Sequence, residues 1–259
     1  MKILFVGDIM GSAGRKAFLE TACPMKERGE IDVLLVNGEN SASGKGINKK
    51  FAEQFLKAGA DVITLGDHAY DQREIMGYLN EQRLMIRPAN FAPGCPGKGW
   101  VTVDTAHGPV TVINLIGRVF LNPSDCPFRC VDKILKQIPQ QKHPIFVDMH
   151  AEATSEKMAM GWHLAGRVTA VAGTHTHIQT SDARILKDHT AYITDAGMTG
   201  SKDSIIGCEM DAILKRFMTG LPARFEPAEG NPSVEAFLVE CGRDGKASSC
   251  QALRMPEHG

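Results

Sequence analysis

Short apolar runs recur along this chain, separated by polar stretches with helical spacing. The runs cover residues 2–6, 31–36, 61–65, 110–116, 144–147, 168–172 and 191–194. They are rich in Val and Ile and continuous rather than alternating, which is the pattern of strands covered on both faces. Amphipathic segments of helical length fall between several of them, at 48–58, 72–81, 130–137, 155–164 and 209–218. Strand–helix alternation predicts an α/β fold with much parallel pairing. Segments 100–105, 110–116 and 233–241 add antiparallel strands, and that mixture suits a layered sandwich with mixed sheets better than one parallel sheet. Residues 90–99 (NFAPGCPGKG) are a Pro- and Gly-rich loop, too short to separate two domains. With no internal repeat and no linker, residues 1–259 read as a single domain.

Composition narrows the function classes. A formal net charge of −1 gives no field to hold a duplex nucleic acid, so a small anionic substrate bound by local groups is the better expectation. No apolar run is long enough to span a bilayer. The opening MKILFVGDIMG stops being apolar at Asp8, too early for a secretory leader, so it reads as a first strand. Seven scattered cysteines form no framework, and the Cys126/Cys130 pair reads as ordinary reduced thiols, so a cytoplasmic location is expected. A homo-oligomer is left open.

The candidate chemistry is positional. Five apolar runs end in polar residues able to bind metal: Asp8; Glu39 and Asn40; Asp67 and His68; His150; and His175 and His177 in a Gly-Thr-His-Thr-His run. In open α/β sheets ligands bind beyond the carboxyl ends of the strands, so these groups converge on one edge. Singly, each has a plainer reading: a helix cap at Asp8, loop polar groups at 39–40, a turn at 67–68, a satisfied core histidine at 150. Met10 and Met149 read as core packing. Carboxylate, amide oxygen and imidazole without thiolate suit Mn, Fe, Zn or Ni. Seven ligands (Asp8, Glu39, Asn40, Asp67, His150, His175 and His177) exceed one four-coordinate zinc and suit two ions sharing a carboxylate. Two ions about 3.5–4 Å apart can clamp the attacking and leaving oxygens of an in-line displacement at phosphorus. Residues 11–15 (GSAGR) lack the Gly-Lys-Ser/Thr ending of a phosphate-binding loop and read as a tight strand-to-helix turn. Lys45, in the polar loop beside Glu39, is a candidate for substrate phosphate.

The order D-x-x, G-E-N, G-D-H, M-H, G-T-H-T-H resembles the calcineurin-like metallophosphoesterases, and within them the YmdB-like branch of bacterial cyclic-nucleotide phosphodiesterases. The matching stretches are VGDIMGSAGR, VNGENSASGKGI, ITLGDHAYD, RPANF, VDMHAEATSEK, RVTAVAGTHTHIQTSDARIL and YITDAGMTG. The resemblance implies a four-layer αββα sandwich, a di-iron or di-manganese centre (zinc also fitting) and hydrolysis of 2′,3′-cyclic nucleotides or related small phosphodiesters by a metal-activated hydroxide. It implies Asp8, Glu39, Asn40 and His177 on one ion, Glu39, Asp67, His150 and His175 on the other, and His68 as the acid beside the scissile phosphate. It also suggests Asn90 and residues 194–200 as pocket lining. Met10 replaces the usual ligand histidine, as in the YmdB-like branch, with Asn40 substituting. Asp67 replaces the usual asparagine and adds a negative charge. Two rivals are a non-catalytic nucleotide-binding regulator on the same fold and a di-iron redox protein. The second normally takes its ligands from helices of a bundle, not from strand ends.

Overall fold

The computed structural model describes residues 1–138 and 143–256. Among these, two mixed sheets stack face to face. The first runs Asp8–Ile9, Met198–Ser201, Pro232–Cys241, Lys2–Val6, Val33–Asn37, Val62–Thr64, Met85–Ile86, with Ala247–Met255 also paired to Pro232–Cys241. The second runs Arg184–Leu186, Thr190–Ile193, Ala170–Thr174, Ile145–His150, Gly108–Ile116, Trp100–Thr105.

The strand Lys2–Val6 shows how the layers arise. Side chains alternate between faces of a strand. Leu4 and Val6 pack with Phe18 and Phe55 from the helical segments that cover the first sheet. Ile3 and Phe5 face the second sheet, where the rings of Phe5 and Phe146 lie 5.0 Å apart. Both faces are apolar, so the alternation vanishes from the sequence and a continuous run remains. On the far side of the second sheet, Ile113, Val147 and Val171 meet Val131 and Ile134 of Pro127–Gln137 and Met160 and Leu164 of Thr154–Leu164. Three apolar layers thus separate four structural ones, helix–sheet–sheet–helix, which is the expected αββα sandwich.

Two features went beyond the sequence pattern. The chain after the first strand winds continuously through Gly11–Ala17, the π-turn Phe18–Ala22 and Cys23–Glu27. Ala247–Met255 is a strand whose outward positions are Ser, Gln and Arg, so no apolar run announces it. No helix among the described residues is long and apolar enough to cross a membrane.

What positions the site is parallel pairing. Lys2–Val6, Val33–Asn37 and Val62–Thr64 are parallel in the first sheet. Gly108–Ile116, Ile145–His150 and Ala170–Thr174 are parallel in the second. Every strand-end polar group therefore leaves its sheet in one direction.

Candidate active site

The structure brings Glu39, Asp67, His150 and His175 together, with one nitrogen or oxygen of each inside a 4.8 Å span. His150 is the centre. Its Nε2 lies 3.0 Å from Glu39 Oε1, 2.9 Å from Asp67 Oδ1 and 3.0 Å from His175 Nδ1. A ring nitrogen carries at most one hydrogen, so it cannot satisfy three such neighbours. A cation can, because ligand atoms about 2.0–2.2 Å from one ion stand within roughly 4.4 Å of each other. The charges agree. Complete burial alone would lower the proton affinity of His150, but Glu39, Asp67 and Asp8 overcome it and push its pKa well above the ordinary histidine value. Burial would likewise raise Asp67, yet hydrogen bonds to His150 and His175 hold it far below the carboxylate range. The cluster has a surplus of negative charge that a metal ion would answer. Gly66 is required beside it, since a Cβ there would run into His150 and Glu39.

A buried relay aims the His150 ring. Thr174 Oγ1 donates to Asp148 Oδ1 at 2.7 Å, so toward His150 Nδ1, 2.9 Å away, it can only accept. Nδ1 therefore carries a hydrogen and Nε2 is directed at the cluster, an outer-shell arrangement typical of metal-binding histidines. Asp148 is also held by Thr64 Oγ1 at 2.5 Å and Asn37 Nδ2 at 3.2 Å, and burial pushes its pKa up to about 7. Asp148 and Thr174 were not legible as site residues, although Asp148 stands two positions before His150 on the same strand face. Glu152, whose Oε2 is 3.1 Å from His175 Nε2, was also missed.

Asp8 lies beside this cluster, its Oδ1 4.0 Å from His150 Nδ1, and Asn40 follows Glu39 in the same turn. Asp8 Oδ2 accepts from the His175 backbone N–H at 3.1 Å. Asp8 Oδ1 and Asn40 Oδ1 are buried without a hydrogen-bond partner. Buried orphan oxygens are rare and costly, and an absent ion is a standard reason for them. His177 is further out: its Nδ1 is 2.9 Å from the Ile206 carbonyl oxygen, and it lines a cavity of about 310 Å³ together with Ile178, Met198 and Ile206. The Gly-Thr-His-Thr-His turn leaves extended geometry at both histidines, with φ of 96° at His175 and 62° at His177.

His68 sits on the rim. Its backbone N–H donates to Glu39 Oε2 at 3.1 Å, its ring Nδ1 lies 2.9 Å from Asp71 Oδ2, and its Nε2 stands 3.7 Å from Asp67 Oδ2. Residues 11–15 are the start of the helix Gly11–Ala17 rather than the expected tight turn: the Gly11 N–H donates to the Asn40 carbonyl at 3.0 Å, and the Arg15 guanidinium holds the Ser41 carbonyl while stacking on Phe51. Met10 is core, 5% exposed. Lys45 is exposed on its loop. Asn90 does not offer its amide to a pocket. The side chain bonds Ile116 N, Ile116 O and Asp125 O, so it clamps backbone instead.

Known proteins resemble this chain over nearly its full length. The 2′,3′-cyclic-nucleotide 2′-phosphodiesterase of Bacillus subtilis (strain 168) is 45% identical over 240 residues, 93% of this chain and 91% of that protein. The crystal structure of a novel phosphatase from Mycoplasma pneumoniae superposes with a TM-score of 0.91 at 30% identity, covering 98% of this chain and 93% of the other. A hypothetical protein from Thermus thermophilus gives a TM-score of 0.91 at 38% identity, with 98% of both chains covered. The fold is of the metallophosphoesterase type, and its strand-end cluster could hold a metal ion. A model of the YmdB-like proteins matches residues 4–253, and this chain belongs to that family.

Proposed function

We propose that this protein hydrolyses small phosphodiesters, 2′,3′-cyclic nucleotides foremost, at a two-metal centre. The protein is an enzyme of the phosphoric diester hydrolase class. The observation that carries the reading is the anionic cluster around His150 Nε2, flanked by the orphaned oxygens of Asp8 and Asn40. In this reading Glu39, Asp67, His150 and His175 hold one ion, and Asp8, Asn40 and His177 hold the second, with Glu39 shared. The all-oxygen-and-nitrogen donor set suits iron or manganese, with zinc a further fit. Bound there, the metals supply positive charge to the phosphoryl oxygens and a water acidified to a pKa of about 7.

The remaining steps belong to the chain. Glu39 spends one oxygen toward His150 and the other on the His68 backbone, so the bridging carboxylate and the acid are held in fixed relation. Asp71 accepts the Nδ1–H of His68 and orients the ring. His68 Nε2–H then donates its proton to the departing ribose oxygen, a role typically worth about 10²–10⁴-fold. The name of the Bacillus subtilis relative supports a 2′,3′-cyclic nucleotide as substrate. The test is elemental analysis of purified protein together with assays of 2′,3′- and 3′,5′-cyclic nucleotides. Turnover of the 2′,3′ series with two equivalents of metal is expected. Metal-loaded protein that binds these nucleotides without cleaving them would establish the regulator reading instead.

A further inference from the structure

Behind the Gly-Thr-His-Thr-His turn lies an ion pair closed to solvent. Lys157 and Asp195 side chains are both 0% exposed, and Lys157 Nζ is 2.6 Å from Asp195 Oδ2. Buried ion pairs seldom add net stability over apolar packing, so their retention calls for another reason. The surroundings supply one. Asp195 Oδ2 also accepts from Thr176 N at 3.2 Å and Thr176 Oγ1 at 2.6 Å, while Lys157 Nζ reaches Thr176 Oγ1 at 3.3 Å. Thr176 is the residue between His175 and His177, and both histidines sit at positive φ. Such backbone is strained and persists only where surrounding contacts over-determine it.

The same carboxylate works in a second direction. Asp195 Oδ1 accepts from Gly197 N at 2.8 Å, and the Gly197 carbonyl accepts from Asp8 N at 3.1 Å. Its own main chain exchanges bonds with Thr180, Asp195 N to Thr180 Oγ1 at 2.9 Å and Thr180 N to Asp195 O at 3.1 Å. One side chain thus ties the histidine turn to the loop that seats Asp8. The Lys157 stem passes close to the motif as well. A Cβ on Gly173 would run into the Thr194 carbonyl oxygen and would meet Lys157 Cδ at 2.6 Å. The leading glycine of Gly-Thr-His-Thr-His makes room first for the Thr194 backbone and then for the lysine stem.

We propose that Lys157 and Asp195 are positioning residues that set His177 and Asp8 for the second metal ion and, through the same turn, hold His175 in place for the first. This rests on the two-metal reading of the site. An ionised carboxylate is demanded by the donor count: Thr176 N–H, Thr176 O–H, Gly197 N–H and the Lys157 ammonium all point at it. Asparagine has one acceptor oxygen and must release either Thr176 or Gly197.

The test is Mn²⁺ titration of metal-free protein, with thermal unfolding followed in parallel. Three variants are used: Lys157→Met, which keeps the stem over Gly173; Lys157→Met with Asp195→Asn, which removes both charges; and Thr176→Val, which deletes only the hydroxyl on a partly exposed residue. The lone Lys157→Met change strands a buried carboxylate and is expected to lower the unfolding temperature, which the double variant recovers. Affinity at the weaker Mn²⁺ site is expected to stay down by about 10–100-fold in the double variant, and by several-fold in Thr176→Val, the range for outer-shell partners of metal ligands. Thr176→Val binding two Mn²⁺ within two-fold of wild type overturns the proposal, whatever the folding of the charged variants. Wild-type protein that takes up no Mn²⁺ would instead overturn the metal-centre reading on which it stands.

Discussion

At Glu39, Asp67, His150 and His175 the candidate ligand atoms stand within 4.8 Å of one another, whereas Asp8 Oδ1 and Asn40 Oδ1 are buried without a hydrogen-bond partner and His177 turns Nδ1 to a carbonyl. The difference follows from how each half is supported. His150 is on a central strand, its ring fixed by the Asp148–Thr174 relay inside the core. Regular backbone and closed packing leave it one orientation. His177 and Asn40 stand on loops, and His175 and His177 hold positive φ, so their placement depends on tethers from elsewhere in the chain. In the first group only His150 stands on a strand; Glu39, Asp67 and His175 stand on turns just beyond strand ends, as Asn40 and His177 do, so the difference lies in the core-fixed His150 ring about which the other three gather.

The largest effect expected is at the residue common to both halves. Glu39→Gln cannot neutralise two cations. Metal content should fall and turnover should drop by at least about 10²–10³-fold, the scale of losing one preorganised electrostatic group. Full occupancy with wild-type turnover would remove Glu39 from the mechanism. Next is His68→Ala, which removes a ligand from neither half. Both metals should remain while turnover falls about 10²-fold for poor leaving groups and least for a nitrophenolate ester. A uniform loss across leaving groups would argue against proton donation.

A smaller change sharpens the ordered half. Asp67→Asn removes one negative charge from the cluster. The acidic limb of the pH–rate profile should move to lower pH and divalent-metal affinity should weaken modestly, while Asp67→Ala should be worse than either. Identical metal content and profiles in all three proteins would take Asp67 out of the site. The smallest effect concerns the relay. The folded pKa of Asp148, about 7, lies above its ordinary 3.8. The folded state therefore holds that proton more tightly, and the associated stability, complete below about pH 4, is lost as pH rises through about 7. Metal-free Asp148→Asn should lack this loss, so the gap in unfolding temperature between variant and wild type should change by about a few degrees across that window. A constant gap would show that Asp148 is not protonated in the folded state.

Much of this was legible in the residues because it is local. Continuous Val/Ile runs marked strands covered on both faces, and the polar residue after each run marked the edge where ligands gather. Gly66, between the strand and Asp67, was visible as a letter, but its reason, the space taken by His150 and Glu39, was not. What escaped depends on partners distant in sequence. Lys157 lies on a helix with Met160 and Leu164 and reads as an ordinary charged position until Asp195, 38 residues on, is placed against it. Asn90 stands in a motif stretch beside pocket residues, and only the carbonyls of Ile116 and Asp125 show that it serves the backbone. Ala247–Met255 had no apolar run because its register against Pro232–Cys241 leaves many of its side chains toward solvent.

The stacking of two sheets has a consequence for how the enzyme matures. Asp8, Glu39 and Asp67 follow strands of the first sheet, and His150 and His175 belong to the second. A nascent chain owns no complete binding centre until the Gly-Thr-His-Thr-His turn has been made and the sheets have closed on Phe5 and Phe146. In the two-metal reading, metal uptake would be the last event of assembly, and by mass action it would hold the two sheets together once made. Loss of the metal would loosen the seam between the sheets before it disturbed either sheet alone.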